Sequence, residues 1–549
     1  MSNKKILIIH LSRLGDMMQS LPVVKLLKED YPESEITYVG IGDFCVPLKN
    51  IPWIDNLITI PSHDIKGVST EDVDIDIEAF DRLFRKTPEL TAHYDVLINM
   101  THNRGSSYLS KRIKADEKRG RMFSKENEIV MMGNWAKYLF AIAGNRNDNL
   151  LNLVDLYTGM VGVQNRPVMY YLPTNPEIDR QCLSRLKEHG FDSGRLAVGF
   201  QLGASKSLRT WPPEYFLRLG EFLDRQLKAQ IILFGSEQER ALADQFHKSA
   251  HFTFIDLIGR TTLADLPSFL KYINVLVSND TGPMHIAAAV GTKAVGIFMG
   301  TAYFRITGPY GAGHVAVQSN YSCAPCLDST TCAQPLCRKS ISPDVVLQGV
   351  KLALGLEAGS IAGSNGASLY ISDFDRNGTM VYKRLDEKKD HFLPWLRSFH
   401  DARACISQSI WNEWLGLKPN SDMPQISGDD DEIAEILQDY KHACLSYGKL
   451  YAQGKKACQN IISEFRKAKP RLEFIQDMIA QIEQVEQEIK NLENPLAILK
   501  EIHELYSAET EYCNFPRLAH EFMNKYGELD KIIDGFESRL THISHTICK

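Results

Sequence analysis

The stretch Lys4–Asp30, KKILIIHLSRLGDMMQSLPVVKLLKED, decides the fold. Lys4–His10 is a β-rich apolar run, a polar turn follows, and Met17–Asp30 carries a helical pattern. The same rhythm recurs at the strands Glu35–Gly40 (EITYVG) and Tyr94–Met100 (YDVLINM). A second set runs through Arg195–Leu202 (RLAVGFQL), Gln230–Gly235 (QIILFG), Val275–Asn279 (VLVSN) and Ala294–Phe298 (AVGIF). Strand alternating with helix predicts parallel sheets with helices on both faces. Tyr171–Asn175 (YLPTN), between the two sets, is a proline-containing connector and a candidate hinge. Two doubly wound domains facing one another predict a cleft at the carboxyl ends of their strands, where ligands bind.

At 549 residues the chain is too long for one core, and its length suggests roughly three domains. We expect an α/β architecture of two Rossmann-like domains, 1–172 and 173–354, followed by a mainly helical extension, 367–549. Glycines 355, 359, 363 and 366 mark a linker before that extension. Tyr370–Phe374 and Thr379–Lys383 flank the turn dipeptide Asn377-Gly378, a hairpin signal. Beyond His391 the pattern is helical. Ile475, Met478, Ile482, Val485, Ile489 and Leu492 form a narrow apolar seam at 3-4 spacing. Helical stretches at 392–414 and 519–543 carry apolar residues that cover such a seam within one chain, and a partner chain covers it equally well. Our expectation is an intramolecular bundle that shapes the acceptor side of the cleft.

A net charge of -6 argues against a chain dominated by nucleic-acid binding. Ile6–Leu11 is too short for a secretory apolar region, and Ser12, Arg13 and Asp16 follow at once. The expected compartment is the cytoplasm, with peripheral membrane contact and a homo-oligomer left open.

Three turns carry the chemistry. In Ser12–Pro22 (SRLGDMMQSLP), Gly15 lets the backbone approach a ligand, and Asp16 is either a helix cap or a general base facing the cleft. It is not the dinucleotide fingerprint, which needs three glycines. In Gly203–Pro213 (GASKSLRTWPP), Ser205, backbone N–H groups and Arg209 suit a diphosphate, although a solvated polar loop has the same composition. In Ser278–Ala289 (SNDTGPMHIAAA), Asp280 suits sugar hydroxyls, and the N–H groups at Thr281 and Gly282 open a helix whose dipole favours phosphate. Either Asp280 or Thr281 also serves as a plain cap. His285 alone is structural as readily as catalytic. The basic stretch Arg104, Lys111, Arg112, Lys114, Lys118, Arg119 and Arg121 suits an anionic acceptor, or is a solvated helix face. Finally, Cys323, Cys326, Cys332 and Cys337 lie as C-x2-C-x5-C-x4-C, a spacing that suggests a structural sulfur site for zinc or iron.

Together SRLGDMMQSLP, GASKSLRTWP and NDTGPMHIAAAVGTKAVGIF resemble the ADP-heptose:lipopolysaccharide heptosyltransferases, glycosyltransferase family 9, over about residues 1–350. The resemblance implies a GT-B fold, ADP-heptose as donor, and an inverting reaction without a catalytic metal. It implies that Asp16 is the catalytic aspartate and that Ser205, Arg209, Asp280, Thr281 and Gly282 bind the donor. Glu239 matches a nucleoside-binding glutamate, with Glu237 competing for the position. Some members, including those that glycosylate secreted adhesins, also carry a cysteine cluster after the second domain. The acceptor implied is a lipopolysaccharide core, a surface glycan or a protein side chain. A nucleotide-sugar isomerase on the same fold, or an assembly protein with a vestigial cleft, are the alternatives.

Overall fold

The structure is a computed structural model that describes residues 4–62, 77–124, 129–143, 146, 149–162, 168–321, 323–326, 332–359, 366–385, 408, 411–412, 414–417, 430–465, 472–492, 503 and 522–535. The chain forms two compact units. The first comprises Met1–Leu109, Ile113–Lys118 and Leu150–Asp390. The second comprises Ser110–Arg112, Arg119–Asn149 and His391–Lys549.

The first unit holds two sheets. One is built from β1 (Lys5–Ile9), β2 (Glu35–Ile41), β3 (Asn56–Ile60), β4 (His93–Asn99) and β5 (Lys114–Phe123), in the order β3-β2-β1-β4-β5. Strand β1 lies parallel between β2 and β4. The other contains β7 (Ala197–Gln201), β8 (Gln230–Phe234), β9 (Phe254–Asp256), β10 (Val275–Asn279), β11 (Lys293–Phe298), β12 (Val315–Ser319), β13 (Ala367–Phe374) and β14 (Met380–Arg384), in the order β14-β13-β12-β11-β10-β7-β8-β9. Its strands are parallel from β9 to β12. Continuous apolar runs such as KILII and VLVSN are what a sheet covered on both faces requires. Phe200, Trp211, Phe216, Leu223, Val277 and Val346 meet in the core of the second sheet, all fully buried.

Every strand read from the sequence is present, and three details differ. The helix expected from Met17 divides at Ser20 into Leu14–Gln19 and Leu21–Asp30, with Pro22 in the first turn of the latter, where its missing N–H is harmless. The hairpin forms with Gly378 at φ 81°, but β13 pairs antiparallel with β12. Residues 367–384 therefore complete the second sheet. The basic stretch is only half helical: Arg104–Arg112 is a helix, whereas Lys114–Phe123 is β5, a strand whose charged sequence conceals it until pairing is considered.

In the second unit the distal half of β5 pairs antiparallel with β6 (Ile129–Met132). The helix Asn134–Ala141 packs on the tail: Tyr138 donates to Gln408 at 3.0 Å and its ring meets Trp411. Helices Asp430–Phe465, Leu472–Asn491 and 522–535 form an antiparallel bundle. Gly448 faces Ile533, Gly454 faces Tyr526, and Asn460 donates to Met478. Met478, Ile482, Val485 and Ile489 of the apolar seam are buried within this single chain. Much of the expected helical cover at 392–414 and 519–543 lies outside the described residues, 522–535 excepted.

A charged cluster lies within the bundle, with Lys525 and His503 buried and Glu486 part-buried. Glu486 accepts from Lys525 Nζ at 2.8 Å, from His503 Nε2 at 2.9 Å and from the Tyr526 hydroxyl. Lys525 and His503 are each 1% exposed. Burial raises the Glu486 carboxyl, but His503 and Lys525 outweigh it and hold the group well below the usual range. Burial likewise brings Lys525 down to about 8. Among the described residues no helix is long and apolar enough to cross a membrane.

Candidate active site

The site grows from the turns after β1, β7 and β10, all at carboxyl strand ends within the first unit. After β1, Leu11 N donates to Thr101 Oγ1 at 2.7 Å and Asn103 Nδ2 donates to Leu11 O, so the turn is tied to the end of β4. The helix Leu14–Gln19 begins with Arg13 at the N-cap, and no side chain caps it. Asp16 is thus not the cap. Its Oδ2 accepts from the Ser12 hydroxyl at 2.6 Å, and the residue is only part-buried.

After β10, Asn279 acts as a brace. Its amide donates to Leu202 O at 2.9 Å, and its oxygen accepts from Trp211 N at 2.9 Å. Trp211, fully buried, donates its indole N–H to Ile341 O. The loop 203–211 is thereby pinned at both ends, with Ser205 exposed between them. Arg209 Nη1 pairs with Asp280 Oδ2 at 3.1 Å, and its Nε donates to Thr301 Oγ1 at 2.6 Å. Two residues assigned separately from sequence therefore form one ion pair. Thr281 is the N-cap of the helix Gly282–Ala289 without donating or accepting a cap bond through its side chain, and its hydroxyl lies 3.0 Å from Ser278 Oγ. Pro283 has no N–H and Met284 N donates to Thr281 O at 3.1 Å, which leaves the N–H groups of Thr281 and Gly282 as the donors for an anion.

The two helix starts touch. A Cβ on Gly282 would lie 2.6 Å from Leu14 Cδ2, and one on Gly15 would lie 3.0 Å from His285 Cδ2. Glycine at 282 is what permits this approach. His285 is buried, its pKa lowered to about 4 by burial against the attraction of Asp16. Sequence reasoning missed a buried layer under this turn. His10 Nδ1 lies 3.0 Å from the Tyr38 hydroxyl, and its Nε2 lies 3.3 Å from that of Tyr157. Burial raises both phenols, and the Asp16 charge adds to the effect. Period-two strand patterning marks Tyr38 only as core.

Glu239 and Glu237 separate cleanly. Glu239 forms a capping box with Ser236, accepts from Gln201 at 3.0 Å, and fills the space a Cβ on Gly203 would need. Glu237 points away, to Arg240 at 3.4 Å. Of the basic residues, Arg104 is exposed at the start of its helix, which Asn103 caps through Ser106 N. Lys111 and Arg112 occupy the last turn, where cations suit the dipole, and they fall in the second unit.

The four cysteines do not build the expected sulfur site. Cys337 is drawn into the core of the second sheet, Cys323 and Cys332 are exposed, and Cys326 donates to Cys323 O at 3.2 Å. The thiols sense one another: burial first, then their mutual repulsion, pushes Cys326 up. Yet among the described residues no group of three or more His, Cys, Asp or Glu is arranged to hold a metal ion. Zinc or iron at Cys323, Cys326, Cys332 and Cys337 is therefore not supported among the described residues.

Residues 83–337 match the model of glycosyltransferase family 9 (heptosyltransferase). The lipopolysaccharide core heptosyltransferase OpsX of Haemophilus influenzae is 25% identical over 297 residues, 54% of this chain and 79% of that protein. Lipooligosaccharide heptosyltransferase 2 of Haemophilus ducreyi is 27% identical over 304 residues, 52% of this chain and 80% of that protein. A family 9 glycosyl transferase structure from Veillonella parvula superposes with a TM-score of 0.53 at 21% identity, covering 65% of this chain and 98% of that one, a likeness of fold. Over residues 83–337, a little under half of its length, the chain is similar to glycosyltransferase family 9, and it is a glycosyltransferase.

Proposed function

We propose that the protein is an inverting heptosyltransferase, moving a heptose from ADP-heptose to a hydroxyl of a lipopolysaccharide core, a related surface glycan or a protein side chain. One observation carries the reading: the turn bearing Asp16 rests directly on the start of the helix Gly282–Ala289, beside the Arg209–Asp280 pair. A base and an anion-binding helix end thus border one space. Asp16 takes the proton of the acceptor hydroxyl as its oxygen bonds to the anomeric carbon. The bond from that carbon to the diphosphate breaks on the opposite face, and ADP leaves with the electron pair. Arg209, Ser205 and the N–H groups from Thr281 and Gly282 stabilise the charge growing on the diphosphate. Asp280 receives sugar hydroxyls, Glu239 binds the nucleoside, and Arg104 attracts an anionic acceptor. The setting is the cytoplasm, where nucleotide sugars are made.

Incubation with ADP-heptose, with and without acceptor, tests the reading through release of ADP. Release that depends on acceptor is expected, whereas acceptor-independent conversion of the donor would make the protein an isomerase. For the diphosphate cradle, Arg209→Ala is expected to weaken ADP binding by about 1.5–3 kcal/mol, the scale of hydrogen bonds to charged groups. Calorimetry that finds ADP and adenosine bound equally by the parent protein removes the cradle.

A further inference from the structure

The turn after β1 also carries a cation that the reading above leaves without a role. Arg13 Nη1 donates to Ser205 Oγ at 3.2 Å, a bond between residues 192 positions apart that joins the two sheets' carboxyl-end turns. Among the described residues this hydroxyl is its hydrogen-bond partner and no carboxylate pairs with it. Of the two acids nearby, Asp16 is engaged by Ser12, and Asp280 by Arg209. The residues that follow Arg13 fix its position, since Leu14 lies against Gly282 and Gly15 against His285.

Three positive ends therefore share one place: the Arg13 guanidinium, the loop of Ser205 to Arg209, and the N-terminus of the helix Gly282–Ala289. A guanidinium beside a helix N-terminus is repelled by the helix dipole, and a neutral hydroxyl does little to offset this. An anion between them is attracted to each of these ends and outweighs their mutual repulsion. A guanidinium also presents several N–H donors in a plane, and one hydroxyl leaves most of them free for phosphate oxygens.

We propose that Arg13 is a diphosphate ligand contributed by the first sheet's side of the cleft, exchanging Ser205 for phosphate when the donor binds. The proposal rests on the reading of the site as a nucleotide-diphosphate-sugar site. It makes Arg13 the residue through which the acceptor half senses a loaded donor half, because adenosine alone offers it nothing.

The test is calorimetry on the full chain with two probes, ADP and adenosine, for the parent, Arg13→Gln and Arg13→Lys. Arg13→Gln is expected to weaken ADP binding by about 10- to 100-fold and leave adenosine binding unchanged. Arg13→Lys, keeping the charge without the fork, is expected to fall between. If ADP affinity in Arg13→Gln equals that of the parent, or if ADP and adenosine weaken together, Arg13 is a latch or a bystander and the proposal is overturned. If the parent itself binds ADP no more tightly than adenosine, the donor-site reading fails first and takes the proposal with it.

Discussion

Asp16→Asn is expected to lower turnover by about two to four orders of magnitude while ADP-sugar affinity stays near that of the parent. The exchange is nearly isosteric, and the amide oxygen still accepts the Ser12 hydroxyl that holds Asp16 Oδ2 at 2.6 Å. No helix cap is lost, because the N-cap is Arg13 and the Asp16 side chain does not serve it. What disappears is the capacity to take a proton. Single-turnover rates beside calorimetric affinity separate the two effects, and unchanged turnover removes Asp16 from the mechanism.

Lys525→Met is expected to destabilise the helical bundle of the second unit by about 3–5 kcal/mol, because the Glu486 carboxylate is left buried without its ammonium partner. Amide hydrogen exchange reads this locally: in Asp430–Phe465 and Leu472–Asn491 it should quicken by about two to three and a half orders of magnitude. Exchange that is unaltered there would mean the cluster contributes nothing to the bundle. From acid to neutral pH the dependence has one sign. Glu486 is depressed in the folded state, so its contribution is full above the ordinary carboxylate range and lost as pH falls below it. His503 and Lys525 are also lowered, chiefly by burial, so protons bind the unfolded chain more readily at these sites too. Bundle stability should therefore rise with pH from acid to neutral, whereas above about 8 the lowered Lys525 is opposed by Cys458 and Tyr526, both raised by burial.

Local pattern carried most of the architecture. Apolar runs such as KILII and VLVSN announce buried parallel strands because both faces of the sheet are covered, and the turn dipeptide Asn377-Gly378 announces its hairpin. Pairing partners are another matter. That β13 adds to β12, or that KADEKRGRMF is a strand, depends on neighbours distant in sequence rather than on propensity. The same division runs through the site. Gly15, Asp16, Arg209 and Asp280 stand out because their residue types fit a turn and a ligand. The Arg209–Asp280 pair, the Arg13–Ser205 bond and the layer of His10, Tyr38 and Tyr157 are tertiary facts with no local signal. The cysteine spacing is a local signal of a different kind, and the metal read from it is not supported among the described residues. The Glu486–His503–Lys525 cluster joins three segments that no spacing rule connects.

The central claim is transfer of a heptose from ADP-heptose, and the mass of the acceptor after reaction tests it most directly. Purified full-length protein, given ADP-heptose and a panel of lipopolysaccharide-core, surface-glycan and protein acceptors, should add one heptose residue to an acceptor and release one equivalent of ADP for each. Asp16→Asn should leave that acceptor almost entirely at its starting mass over the same interval. Acceptors unchanged in mass while the donor is consumed, or equal mass gain in the parent and in Asp16→Asn, would contradict the account.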